Sequence, residues 1–185
     1  MALSFLLALA ACGGTASGES PAEGASTNNG GSATSSYVVK ADLCVEADLG
    51  PLAVALPVVT KLKPSKDTRN GVTAWACHGN AGATDSFDDI GFISLVARYY
   101  GSAADASREY DGNTSSSSAQ DQQPIAGLGQ KATSFTDGPQ VRVMVLDGPL
   151  VFISTWSANG NNLPATVRPA LIETTKATLA KLKAG

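Results

Sequence analysis

From Val141 to Trp156 the chain alternates in a way that leaves little choice of local structure. Val141, Val143 and Val145 interleave with Arg142, Met144 and Leu146, and after Asp147-Gly148 a second run sets Leu150, Phe152, Ser154 and Trp156 against Val151, Ile153 and Thr155. Period-two alternation on both sides of an Asp-Gly pair predicts an antiparallel hairpin. With a two-residue turn at Asp147-Gly148, Val145 would face Leu150 and Val143 would face Phe152, forming a surface on which helices could stack.

The neighbouring segments extend this unit. Val72 to His78 reads as a strand that places Thr73, Trp75 and Cys77 on one face, and Ile90 to Tyr100 reads as a long strand rich in Ile, Phe, Val and Tyr. Gly50-Pro51 offers the start of a short helix that Pro57 would end. Ser102 is placed to cap a helix fading near Asp111-Gly112. Val167, Leu171, Thr175, Leu179 and Leu182 form the stripe of a last helix, in which Pro169 marks either the start or a bend. Lys61 to Gly71 and Ser115 to Gln123 are polar, and both read as surface loops. The expected fold is a single α+β domain over residues 37–185: a mainly antiparallel sheet of about five strands with helices packed on one face.

Residues 1–11 read as a lipoprotein signal peptide. Ala2 to Ala11 is an apolar run too short for a bilayer core of roughly 30 Å. No Lys or Arg lies between Met1 and Cys12, so the basic start of such a leader would lie upstream of Met1. Ala10 and Ala11 are the small residues that lipoprotein processing needs before a cysteine, and Cys12 supplies the thiol for a thioether-linked diacylglycerol. Two acyl chains, at about 0.8 kcal/mol per buried methylene, would hold the protein on a membrane. Residues 12–36 then form a lipidated cysteine and a flexible Gly/Ser/Thr-rich tether without large apolar residues. The expected location is the extracytoplasmic face of the cell membrane.

That location organises the cysteines. There are three; with Cys12 taken by lipid, Cys44 and Cys77 remain to pair in an oxidising compartment. The alternative is three buried thiols. A net charge of −3, with thirteen scattered Lys and Arg, provides no basic face for a phosphate backbone, so nucleic acid is not expected as a partner.

Pro124-Ile125-Ala126-Gly127-Leu128-Gly129-Gln130-Lys131-Ala132, followed by two strands and a terminal helix, together with the cysteine pair and the lipidation site, resembles the actinobacterial envelope lipoproteins of the domain-of-unknown-function group numbered 3558. The resemblance covers most of Asp42 to Lys183. It implies an exported, membrane-tethered α+β domain without assigned chemistry, similar in fold to the extracellular sensor domains of mycobacterial receptor kinases, and brings no catalytic residues. Gly127-Leu128-Gly129 precedes a strand rather than a helix, which favours a turn requiring positive φ over a phosphate loop.

Candidate chemistry is sparse. His78 is the one histidine. A wall-acting hydrolase would have to use it with Asp85, Asp88 or Asp89 as acid and base. No zinc set can be assembled from one His and two oxidised Cys, and the three aspartates lack the spacing and glycine of a calcium loop, so they read as a solvated acidic turn. A ligand cleft would draw on His78, Tyr99, Tyr100 and Trp156, although aromatic residues on strands, Trp75 included, more often fill the core. The expectation is a non-enzymatic, sensor-like binding module for an envelope ligand or partner protein, without cofactor or metal. The alternatives are the hydrolase and a structural or inhibitory surface protein.

Overall fold

A computed structural model describes residues 35–60, 62–84, 90–160 and 163–183. The expected signal peptide, Cys12, the tether ahead of Ser35, and Asp85, Asp88 and Asp89 lie outside the described residues.

The elements run α1 (Leu43–Glu46), α2 (Gly50–Ala55), β1 (Val58–Val59), β2 (Lys63–Arg69), β3 (Val72–Gly82), β4 (Ile90–Tyr99), α3 (Ala103–Thr114), β5 (Ala119–Pro124), β6 (Lys131–Asp137), β7 (Gln140–Asp147), β8 (Leu150–Ser157) and α4 (Val167–Leu182). Seven strands lie in the order β1-β3-β4-β8-β7-β6-β5, and β2 also pairs with β3, beside β1. Every pairing is antiparallel. The α+β class is as expected, but the sheet is larger than five strands because both stretches read as polar loops contribute edge strands. Lys63–Arg69 is exposed throughout and carries no apolar alternation. It is held by its ladder to β3 and by the turn at Asn70 (φ 51°) and Gly71 (φ 77°). Ala119–Pro124 pairs with β6 across an irregularity between Gln120 and Gln123, where Asp121 has φ 49°.

The β7–β8 hairpin forms with its turn one residue later than expected. Asp147 pairs with Leu150, Val145 with Phe152 and Val143 with Ser154, so Gly148-Pro149 is the turn. Pro149 has no N–H to give to a ladder, while Gly148 (φ 56°) takes the left-handed first position of the turn. The partner of each valine moves by two residues, which preserves the faces. Asp137-Gly138-Pro139 makes the same kind of turn between β6 and β7.

On one face Val141, Val143, Val145, Phe152 and Trp156 pack against Val167, Leu171, Leu179 and Leu182 of α4, with Leu43 of α1 and Leu52 of α2 completing the layer. Pro169 falls in the first turn of α4, where no intrahelical donor is needed. On the other face Met144, Leu146, Val151 and Phe135 pack against Ala106 and Tyr110 of α3. Helices therefore cover both faces, a correction to the one-faced arrangement: the residues interleaved with the valines are themselves apolar at the β7–β8 turn end. Ser102 Oγ accepts from Asp105 N (3.1 Å), and α3 runs past Gly112 to Thr114. Cys44 and Cys77 form a disulfide that ties α1 to β3.

The described chain begins as a strap over one end of this structure. Ser36 N, Ser36 Oγ and Ser35 Oγ all donate to one carboxylate oxygen of Asp147, at 2.6, 2.8 and 3.1 Å. Tyr37 bridges Lys183, and Val38 N donates to Leu182 O (2.7 Å). Tyr99 Oη donates to Tyr37 O and accepts from Val39 N, both at 3.1 Å. No helix among the described residues is long and apolar enough to cross a membrane.

Candidate functional site

Among the described residues, α3 covers its face of the sheet only in part. Away from the β7–β8 turn the same face continues as a set of side chains that the strand registers arrange in two adjacent rows. Lys63, His78, Ser94, Thr155 and Arg142 are successive cross-strand partners along β2, β3, β4, β8 and β7. One step further on, Asn80, Phe92, Ser157 and Gln140 form the second row. Cross-strand partners point to the same side of a sheet, so these nine side chains form one band. The row on its α3 side is Ser65, Ala76, Val96, Ile153 and Met144, four small or aliphatic residues running under the helix edge at buried Met144.

Phe92 stands at the centre of this band with 45% of its surface exposed. A cleft of about 460 Å³ bounded by Thr60, Lys63, His78, Gly79, Asn80 and Phe92 lies on its β3 side. Another, of about 320 Å³, runs from Phe92 over Ser94, Val96, Ile153 and Thr155 to Gln140 and Arg142. Both volumes fall in the range of small-molecule sites. The His78 and Phe92 rings are nearly parallel (22°), with centroids 6.1 Å apart. His78 Nε2 and Ser65 Oγ approach to 3.4 Å, at the outer limit of a hydrogen bond.

Charge in the band is largely cancelled. Arg142 reaches Asp137 (3.3 Å) and Gln140 Oε1 (2.9 Å from Nη2), and Arg98 binds Glu109 (2.8 Å). Lys63 has no carboxylate partner among the described residues.

The four residues expected to line a cleft separate. His78 is in the band. Trp156 is in the opposite layer, 2% exposed, its indole N–H donating to Ala81 O (3.0 Å) and its ring lying against Gly91, where an added Cβ would come within 2.5 Å of it. Tyr99 holds the strap, and burial together with the nearby Glu46 charge pushes its phenol above the ordinary value of 10.0. Tyr100 borders a different cleft, of about 440 Å³, between the Asn70-Gly71 turn and the first turns of α3. Burial raises the Tyr100 phenol too, helped by the Glu109 charge, while Asp105 in the same cleft is held below 3.8 by its bond from Ser102 and by Arg108. Trp75 is half-buried, with Lys66 Nζ 4.0 Å from its ring centre.

Comparison with protein-family models, curated proteins and solved structures found no match.

Sequence reasoning missed Phe92, the residue at its centre, because an aromatic in an apolar strand reads as core. Its parity carried the signal: Phe92 alternates with Ile93 and Leu95, and both of those are buried. Gln140, Ser157 and Asn80 gave no signal of their own, since register alone brings them together.

Proposed function

We propose that this protein is a lipid-anchored extracytoplasmic lipoprotein, akin to the actinobacterial envelope lipoproteins of the domain-of-unknown-function group 3558, and that its folded domain is a non-enzymatic binding module. The observation that carries the reading is the Phe92 band, a continuous sheet surface left open by the described residues, with an exposed aromatic at its centre, two adjoining clefts and mostly neutral polar side chains. Its position supports the tether. The strap from Ser35 docks at the Asp147–Leu150 end of the strands, whereas Phe92 pairs with Ser157 at the other end. From Tyr99 to Phe92 the strand covers about 23 Å at ~3.3 Å per residue. A domain held through residues N-terminal to Ser35 thus carries its open face at the end remote from the attachment.

The reading is tested in two parts. Metabolic labelling with an alkyne fatty acid labels the wild-type chain, and Cys12→Ala abolishes the label; equal labelling of both removes the anchor from the proposal. A thermal-shift screen of the full chain against envelope lipids, wall fragments and small metabolites yields a ligand that raises the midpoint, since binding to the native state alone stabilises it. Thr155→Trp, which fills the cleft beside Phe92, cancels that rise. Ligands that raise the midpoint equally in Thr155→Trp place binding elsewhere.

A second reading, a hydrolase acting on wall material, draws on the 3.4 Å approach of Ser65 Oγ to His78 Nε2. It requires turnover of wall fragments that disappears in both Ser65→Ala and His78→Ala. Turnover surviving either change rules this pair out.

A further inference from the structure

We propose that the open face binds a linear, uncharged glycan laid across the strands. This rests on the open face being a binding surface and adds the class of ligand. A pyranose ring offers a flat face of C–H groups and a rim of hydroxyls that both donate and accept hydrogen bonds. Phe92, half-exposed with the His78 ring nearly parallel to it, supplies a flat apolar support for the first of these. The flanking groups suit the second: the hydroxyls of Ser94, Thr155 and Ser157 and the amide of Asn80 can each donate and accept, and the Gln140 amide N–H can donate while its oxygen is held by Arg142.

At the Arg142 end charge argues for a neutral ligand, and at the other end the exposed Lys63, without a carboxylate partner among the described residues, can donate to sugar hydroxyls. Arg98 and Arg142, the cations at the far end, already carry Glu109 and Asp137, so a phosphate or carboxylate would have to displace a carboxylate from each. Shape argues for a chain rather than a single ring. The row from Lys63 to Arg142 crosses five strands, or ~19 Å at 4.8 Å per strand spacing, the reach of about four sugar units. Small side chains at Ala76, Ser94 and Val96 keep the floor low beneath it. A peptide adding to a sheet uses the N–H and C=O groups of an edge strand, whereas here only side chains face the ligand.

The test uses the full chain with three soluble probes: chitotetraose, cellotetraose and an α-1,6-linked mannotetraose, followed by saturation-transfer NMR and calorimetry. At least one binds with a dissociation constant of millimolar or lower; Phe92→Ala weakens it at least tenfold, and Phe92→Trp retains it. The unliganded thermal midpoint of Phe92→Ala falls by only a few degrees, because nearly half of the residue's surface is outside the fold already. Binding by none of the three, or binding indifferent to Phe92→Ala, overturns the glycan assignment. If the probes fail while a thermal-shift ligand is still blocked by Thr155→Trp, the glycan falls and the open face stands. If Thr155→Trp blocks nothing, both fall.

Discussion

Thr174 and Thr175 are neighbours in α4, both fully buried, and their hydroxyls have opposite fates. Thr175 Oγ1 lies 2.8 Å from Ser154 Oγ and donates to Leu171 O at 2.7 Å, whereas Thr174 Oγ1 has no partner among the described residues. Valine matches threonine in shape and removes only the hydroxyl. Thr175→Val therefore strands Ser154 and costs about 1–3 kcal/mol, while Thr174→Val relieves an unmet group and stabilises by up to ~1 kcal/mol. Urea unfolding of the two variants gives shifts of opposite sign. Gly91 is a stricter case: a Cβ there would collide with Ser157 O and the Trp156 ring, so Gly91→Ala overpacks a fixed wall and costs about 3 kcal/mol. The stripe of α4 was readable at Val167, Leu171, Thr175, Leu179 and Leu182, all of them buried. Thr174 and Thr178 were not, because polarity says nothing about burial when a threonine can hide its oxygen against another element, as Thr178 Oγ1 does by accepting from Asp48 N.

At the scale of elements, patterning identified what packs and missed what merely pairs. β3, β4, β7, β8 and α4 bury an apolar face, and that face is what periodicity reports; α2 and α3 were marked by Gly50-Pro51 and by the Ser102 cap, while α1, a single turn, gave no pattern. β2 and β5 bury almost nothing, and they exist because a neighbouring edge offers N–H and C=O groups. For β2 the signal was present in Asn70-Gly71, a pair suited to two successive left-handed residues. For β5 there was none. Lys63, Pro64, Lys66 and Arg69 along β2 make a poor template for a further strand, which suits it to an outer position. The Gly127-Leu128-Gly129 turn was legible in both positive φ values, 74° and 58°, but not in its packing. A Cβ at Gly127 meets open space, and at Gly129 it would lie 2.6 Å from Leu146 O. Gly127→Ala is expected to cost about 1 kcal/mol and Gly129→Ala at least twice that, read as chemical-denaturation midpoints.

For the whole molecule, Cys44–Cys77 closes a 33-residue separation between α1 and the middle of β3, a strand paired on both sides by β2 and β4. Reduction should remove about 3–4 kcal/mol by the chain-entropy argument and lower the thermal midpoint by roughly 10 °C. A scan with and without reductant checks this, with Cys44→Ala/Cys77→Ala as the limiting case. The pH dependence follows from groups on opposite sides of neutrality. Lys131 and Ser107 hold the Asp111 carboxyl below 3.8, and Ser102 and Arg108 do the same for Asp105, so their contribution is present above that value and is lost as pH falls through the lower folded values. The Tyr99 phenol is raised, so its contribution is complete below pH 10.0 and is lost as pH rises through the higher folded value. Burial raises the Tyr100 and Tyr110 phenols too, so Tyr99→Phe should make the alkaline limb of a stability profile shallower without removing it, and leave the acid limb unchanged. Tyr99 bonds both ends of Tyr37–Val39, and Asp147 takes three hydrogen bonds from Ser35 and Ser36. Tension arriving through the chain ahead of Ser35 is met first by that carboxylate, then by the phenol and the end of α4. Once the strap has peeled, the Cys44–Cys77 bond is the next covalent hold and hands the load to β3, so the first contacts to yield are those at the end of the strands opposite Phe92.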